Sequence, residues 1–250
     1  LVLGIVVILS YTLLGGYLAV CATDFVQGAL MFLALVTTAI IMVCSLGGPA
    51  QAIETVSKLG DGYLNPFASG NGFGPKSIIS ALAWGLGYFG MPHILVRFMG
   101  IRSNQDVKVS RRIAMVWVIF AFIAALLVGA LGRVFLLPMI LEGTASETVL
   151  IHSLVKIFPA FIAGIFLCGI MAAAMSTADS QLLVASSAFS RDIFKAFIKK
   201  DASEKLLLLI SRICVAGVAV IAFFFALDPS SSVFGLVSYA WAGFGATFGP

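Results

Sequence analysis

Residues 25–53 read FVQGALMFLALVTTAIIMVCSLGGPAQAI, a run without a single charged side chain. A helix needs about 20 apolar residues to cross the hydrocarbon core of a bilayer, so this run is long enough to span a membrane. Apolar and polar residues do not alternate along it, which excludes a strand of a membrane barrel. Because backbone groups in lipid must pair within their own segment, the run predicts a transmembrane helix.

Composition extends this prediction to the whole chain. It is 61% hydrophobic and 10% charged, and its mean hydropathy is +1.11, whereas a soluble domain carries roughly a quarter charged residues. Residues 213–227 reach spanning length if their helix starts near Leu206 and Arg212 extends to the interface. The other uncharged runs are residues 1–23, 77–96, 113–132, 157–178 and 229–250. The sequence predicts an all-α integral membrane protein with about seven spans.

Lys and Arg residues predict the orientation of these spans. Eleven of the 15 lie in residues 97–112 and 191–212, and an excess of positive charge marks cytoplasmic loops. The first span then enters from outside, and Asp24 sits at the cytoplasmic end of a tight helical hairpin. Residues 48–75, rich in Gly, Pro and Asn, predict an irregular external loop. Residues 148–158 predict a short surface helix, and residues 191–200 a cytoplasmic amphipathic helix.

Several classes of function are not expected. We find no nucleophile–base pair, phosphate loop or transition-metal spacing, and no basic stripe interleaved with aromatics. Neither an enzyme nor a nucleic-acid partner is therefore predicted. The chain starts at Leu1 and stops at Pro250 inside an apolar run. We expect it to be a piece, lacking both ends, of a longer protein embedded in a lipid bilayer.

The densest polar cluster lies in the fifth candidate span. Ala173, Ser176, Thr177 and Ser180 recur at i, i+3, i+4 and i+7 and so share one helix face. Two neighbouring hydroxyls supply hard oxygen ligands for sodium. Backbone carbonyls freed by a broken partner helix would complete the coordination shell. Alternatively, the hydroxyls only hold helices together by hydrogen bonds.

Two carboxylates lie within the apolar runs. Asp179 inside a span is costly and by default functional, although a pairing with Arg191 or a loop Lys is equally compatible with the pattern. Asp24 follows Thr23 at a predicted helix start, where a carboxylate serves as a structural N-cap.

The third candidate span is expected to be interrupted. Gly85, Gly87, Gly90 and Pro92 fall close together, and such an interruption points to a transporter binding site. Trp84, Tyr88 and Pro92 at i, i+4 and i+8 share a face and can line a pocket. Alternatively, they form an aromatic packing stripe, with the glycines allowing close helix contact.

Four stretches carry a resemblance to a known family. They are residues 84–99 (WGLGYFGMPHILVRFM), 10–27 (SYTLLGGYLAVCATDFVQ), 175–184 (MSTADSQLLV) and 235–250 (GLVSYAWAGFGATFGP). Together they resemble the bacterial sodium/proline symporters of the sodium:solute symporter family. The resemblance implies a core of two inverted five-helix repeats, of which this chain is a part. Residues 1–47 would end the first repeat, residues 48–75 form an external loop, and residues 76–250 cover most of the second.

The same resemblance implies a function and a site. It implies symport of L-proline with sodium across the bacterial inner membrane. Sodium would be the co-transported ion, and no organic cofactor is expected. Ser176, Thr177 and the carbonyl of Ala173 match sodium ligands, and Trp84, Tyr88 and Pro92 match residues lining the proline pocket. Asp24 matches an aspartate that influences sodium use, which makes it a coupling candidate. Asp179, which the family pattern does not explain, is a second coupling candidate because of its place in a span. The alternatives are a sodium symporter for another small organic solute such as pantothenate, or the membrane sensor module of a histidine kinase.

Overall fold

The computed structural model describes residues 2–60, 62–65, 74–88, 91–227 and 233–248, and every regular element in them is a helix. The all-α prediction therefore agrees with the structure. The π-helical segment Ala188–Ile198 directly continues the helix Ala160–Ser187 (α7). The elements in chain order are α1 (Val2–Ser45), α2 (Pro49–Ser57), α3 (Pro75–Gly87), α4 (Pro92–Met99), α5 (Asn104–Phe135), a 3-10 helix (Gly143–Thr148), α6 (Val149–Ile157), α7 (Ala160–Ser187), the π-helical segment, α8 (Glu204–Phe225) and α9 (Val233–Phe248).

Among the described residues, four helical stretches are long and apolar enough to cross a membrane. They are Gly15–Ser45, Asn104–Phe135, Ala160–Ile198 and Glu204–Phe225. The sixth candidate span does reach spanning length, because α8 begins upstream of Leu206 and includes Arg212. The third does not form one helix, since α3 ends at Gly87 and α4 begins at Pro92, as its glycines and proline predict; Gly90 lies outside the described residues. The count of seven is therefore not confirmed.

The first two candidate spans are not separated at Asp24, and the predicted hairpin there is wrong. α1 runs from Val2 to Ser45, and its one non-helical residue is Gly16, with φ 60° and ψ −157°. Only glycine adopts that conformation readily, because a side chain would clash with the backbone. Asp24 lies inside the helix and is not an N-cap.

The connecting segments differ in part from their predictions. The external segment 48–75 is not irregular throughout, because Pro49 starts α2 and its Ala52 and Val56 are buried; residues 66–73 lie outside the described part. The short helix predicted at 148–158 is present as α6. The helix predicted at 191–200 is an extension of α7 rather than a separate element.

The chain forms two compact units that interleave along the sequence. The first unit comprises Leu1–Gly28, Met91–Gly100 and Met171–Ala240; the second comprises Ala29–Gly90, Ile101–Ile170 and Trp241–Pro250. The second unit has an apolar core contributed by α1, α2 and α5, whose buried members are Ala39, Met42, Ala52, Val56, Ala124, Val128 and Leu131. The first unit buries polar side chains, among them Thr12, Asp179, Ser180, Ser186 and Ser190.

Candidate functional site

The predicted sodium ligands lie together on one turn of α7. The hydroxyl of Ser176 donates to the carbonyl oxygen of Ala173 at 3.0 Å, and that of Thr177 donates to the same oxygen at 3.2 Å. Both hydroxyl oxygens therefore lie within hydrogen-bond distance of one backbone carbonyl oxygen. Each hydroxyl oxygen keeps lone pairs while it donates, so it can still serve as a ligand. The same bonds satisfy both hydroxyls within α7 itself, whereas the alternative, in which the hydroxyls hold helices together, requires bonds to a neighbouring helix.

Asp24 forms an ion pair that the sequence did not indicate. Its Oδ2 accepts a hydrogen bond from Nη2 of Arg97, in the last turn of α4. The Asp24 side chain is 10% exposed and that of Arg97 39%, so the pair is shielded on the carboxylate side. The other carboxylate oxygen, Oδ1, is buried and has no hydrogen-bond partner among the described residues.

Asp179 is fully buried, and the alternative pairing with Arg191 or a loop Lys is not formed among the described residues. Arg191 instead donates to Glu204 at 2.9 Å, across the connection between the π-helical segment and α8. The Oδ2 of Asp179 accepts a hydrogen bond from the hydroxyl of Tyr11 at 2.6 Å. Within the described ranges, no Lys or Arg forms an ion pair with Asp179. Among the described residues, its carboxyl group is held by the hydroxyl of Tyr11 and by the side chain and backbone of Ser180.

Ser180 connects the two carboxylates to the predicted sodium ligands. Its Oγ accepts from Arg97 at 2.5 Å and donates to the carbonyl of Ser176 at 2.8 Å. The same oxygen lies 3.2 Å from Oδ1 of Asp179 and 3.5 Å from Oδ2 of Asp24. We refer to Tyr11, Asp24, Arg97, Asp179 and Ser180 as the polar network. It lies within the first unit and begins one turn along α7 from the sodium ligands.

Three members of the polar network were missed as site residues. Ser180 lay on the polar face of the fifth span, Tyr11 lay in a stretch that carried the resemblance, and Arg97 counted only as a marker of orientation. Their roles depend on contacts between residues far apart in sequence, such as the 168 positions between Tyr11 and Asp179. No periodicity reports such a contact.

Two of the three predicted pocket residues meet around a tryptophan of α9. The ring of Trp84 stacks on that of Trp241 with centroids 5.9 Å apart, and Tyr88 meets Trp241 edge-on at 5.5 Å. We refer to Trp84, Tyr88 and Trp241 as the aromatic cluster; it lies within the second unit. The third predicted pocket residue, Pro92, is the first residue of α4 and belongs to the first unit.

Comparisons with known proteins agree with the resemblance. A model described as the sodium:solute symporter family matches residues 1–250. The osmoregulated proline transporter OpuE of Bacillus subtilis is 43% identical over 98% of this chain and 49% of its own length. The high-affinity proline transporter PutP of the same organism is 42% identical, with 98% and 51% covered. The sodium/proline symporter of Escherichia coli is 43% identical, with 96% and 48% covered.

The chain spans about half the length of the curated relatives it matches. No solved structure matches it. The relatives are named as transporters and the described helices suit a multi-pass membrane protein. Because the family model covers the chain from end to end, this protein belongs to the sodium:solute symporter family.

Proposed function

We propose that this chain is part of a symporter that carries L-proline into the cell together with sodium. The observation that carries the proposal is the similarity, at 42–43% identity over nearly the whole chain, to relatives named for proline transport. With roughly 100 mV across the membrane, one entering cation supplies about 2.3 kcal/mol, enough for about fifty-fold accumulation of the solute.

For the cation, we propose that Ala173, Ser176 and Thr177 contribute ligands. The closeness of both hydroxyl oxygens to the Ala173 carbonyl oxygen on α7 supports this assignment. Sodium is then a co-transported substrate rather than a resident cofactor, and the remaining ligands come from elsewhere in the protein. Asp24 and Asp179 are proposed to couple this site to sodium movement, since Ser180 bridges both to the Ser176 turn.

For the solute, we propose a site that includes Trp84, Tyr88 and Pro92. Proline is a zwitterion with a compact apolar ring, so its site needs an apolar wall as well as polar groups. The aromatic faces of Trp84 and Tyr88 supply the wall, and the Tyr88 hydroxyl supplies a polar group. The side chain of Tyr88 is 49% exposed, which leaves it accessible to a solute.

The wider architecture is also a proposal. Residues 1–47 end the first of two inverted five-helix repeats, residues 48–75 lie outside, and residues 76–250 form most of the second. The protein would lie in the bacterial inner membrane, with its basic segments in the cytoplasm. The break between α3 and α4 supports a binding site at the start of the second repeat, because interrupted helices line such sites in transporters.

Uptake of radiolabelled solute by cells expressing the full-length protein tests this function. We expect proline uptake to depend on external sodium and to resist competition by excess pantothenate. Sodium-dependent uptake of pantothenate without uptake of proline would replace proline by the alternative solute. A full-length reading frame that continues into a histidine kinase, with no uptake of either solute, would favour the sensor.

A further inference from the structure

Trp241 of α9 lies at the centre of the aromatic cluster, although no sequence pattern assigned it a role. Its ring stacks on Trp84 at 25° between planes and meets Tyr88 at 80°. It is thus the one side chain in the cluster that contacts both proposed solute-binding aromatics. Both arrangements, stacked with Trp84 and edge-to-face with Tyr88, are ones that aromatic pairs prefer.

The backbone of α3 leaves a place for this indole at Gly87. A Cβ atom added at Gly87 would lie 2.6 Å from Cδ1 of Trp241 and 3.2 Å from its Nε1, closer than real contacts allow. On α9, a Cβ atom at Gly245 would lie 3.9 Å from the Gly87 nitrogen. Because residue 87 is a glycine, the indole can lie this close to the backbone of α3.

The indole N–H of Trp241 is buried without an acceptor. Its Nε1 has no hydrogen-bond partner in the part of the chain that the structure describes. A tryptophan N–H can only donate, and buried tryptophans normally find an acceptor. This unpaired donor lies beside two proposed solute-binding rings. An oxygen atom of a ligand bound there would accept its hydrogen bond.

We propose that Trp241 is a further solute-binding residue, whose indole N–H donates a hydrogen bond to the carboxylate of the transported zwitterion. Its ring adds a third aromatic wall to those of Trp84 and Tyr88. This inference rests on the proposed function and adds a specific recognition group to it. A carboxylate is the acceptor best suited to this donor, because hydrogen bonds to a charged partner are the stronger ones.

Trp241→Phe in the full-length transporter tests the hydrogen bond, since it removes the N–H and keeps an aromatic ring. We expect the KM for proline uptake in proteoliposomes to rise roughly ten-fold, the loss typical of one bond to a charged group, with a smaller change in the maximal rate. The matched control is Trp117→Phe, whose indole pairs with Phe32 on α1 and whose KM should stay within two-fold. A Trp241→Phe protein with unchanged KM would overturn the proposal.

Gly87→Ala provides an independent test that keeps the N–H but displaces the indole. We expect a rise in KM comparable to that of Trp241→Phe. Gly217→Ala in α8, where an added Cβ meets nothing within 4 Å, should leave KM unchanged. If Trp241→Phe cannot be purified in folded form, the Gly87→Ala and Gly217→Ala pair decides, and equal KM values overturn the proposal. A wild-type protein that takes up no proline contradicts the proposed function itself, an outcome distinct from a wild type that transports with variants of unchanged KM.

Discussion

At the scale of single residues, the first unit holds two buried carboxylates that have different kinds of partner. Asp24 has a cation, Arg97, whereas Asp179 has the hydroxyls of Tyr11 and Ser180. A buried charge without a partner is costly, so such groups in membrane proteins mark ion pathways. Ser180 contacts both and lies one turn from Ser176, which makes its hydroxyl the direct link between the carboxylates and the proposed sodium ligands.

The first prediction concerns the sodium ligands. Ser176→Ala and Thr177→Ala each remove one oxygen from a site where water does not replace it. We expect each to raise the sodium concentration for half-maximal uptake by roughly ten-fold, with expression unchanged. The control is Ser187→Ala at the end of α7, whose side chain is exposed. Sodium dependence equal to wild type in both variants would contradict the ligand assignment.

The second prediction concerns the ion pair. In a double-mutant cycle, Asp24→Asn and Arg97→Gln should each raise the half-saturating sodium concentration, and the double variant should raise it by less than their product. Because the Arg97 side chain is 39% exposed, we expect a coupling of about 1–2 kcal/mol, between the surface and buried limits.

An exposed ion pair gives the matched control for this cycle. Arg191 and Glu204 are 57% and 69% exposed, so the cycle of Arg191→Gln with Glu204→Gln should show almost no coupling. Effects of Asp24→Asn and Arg97→Gln that simply multiply would mean that their contact does not matter for sodium use.

At the scale of helices, hydropathy predicted where the helices lie in the sequence better than it predicted where they break. The run at 113–132 became α5 and the surface helix became α6, because both depend on local apolar periodicity. The break in α1 was placed at Asp24 since a charge in lipid is costly, yet Arg97 compensates that charge from 73 positions away. The actual break is at Gly16, where a backbone dihedral decides, and hydropathy carries no information on dihedrals.

The candidate site divides in the same way. Ala173, Ser176 and Thr177 were predictable because they share one turn of one helix. Trp84 and Tyr88 are four positions apart at the end of α3, but their contacts with Trp241 on α9 join distant segments. Long-range pairings of this kind leave no periodic signal, so the sequence indicates which residues share a helix face but not which residues of other helices they contact.

The third prediction concerns the break in α1. Gly16→Ala places a side chain at φ 60° and ψ −157°, which costs about 1–3 kcal/mol. We expect a lower apparent melting temperature of the purified full-length protein. Gly28→Ala in the same helix has ordinary helical geometry and nothing within 4 Å of an added Cβ, so it should be neutral or slightly stabilising. Equal melting temperatures for the two variants would contradict a break at Gly16.

At the scale of the whole molecule, the positive charges predict which segments face the cytoplasm. In a background without the four native cysteines, single cysteines at Asn104 and Lys200 should react with an impermeant maleimide only after the membrane is opened. A cysteine at Glu142, in an acidic segment with few cations, should react in intact cells. All three positions are exposed. The reversed pattern of accessibility would mean that the predicted number of spans is wrong by one.

Coupling of proline movement to a sodium gradient is the central claim. The direct measurement is radiolabelled proline uptake by proteoliposomes that contain the purified full-length protein, with sodium outside and potassium inside. We predict accumulation above the external concentration that collapses when a sodium ionophore dissipates the gradient. Proline that only equilibrates, at the same rate and level with or without the sodium gradient, would contradict the account.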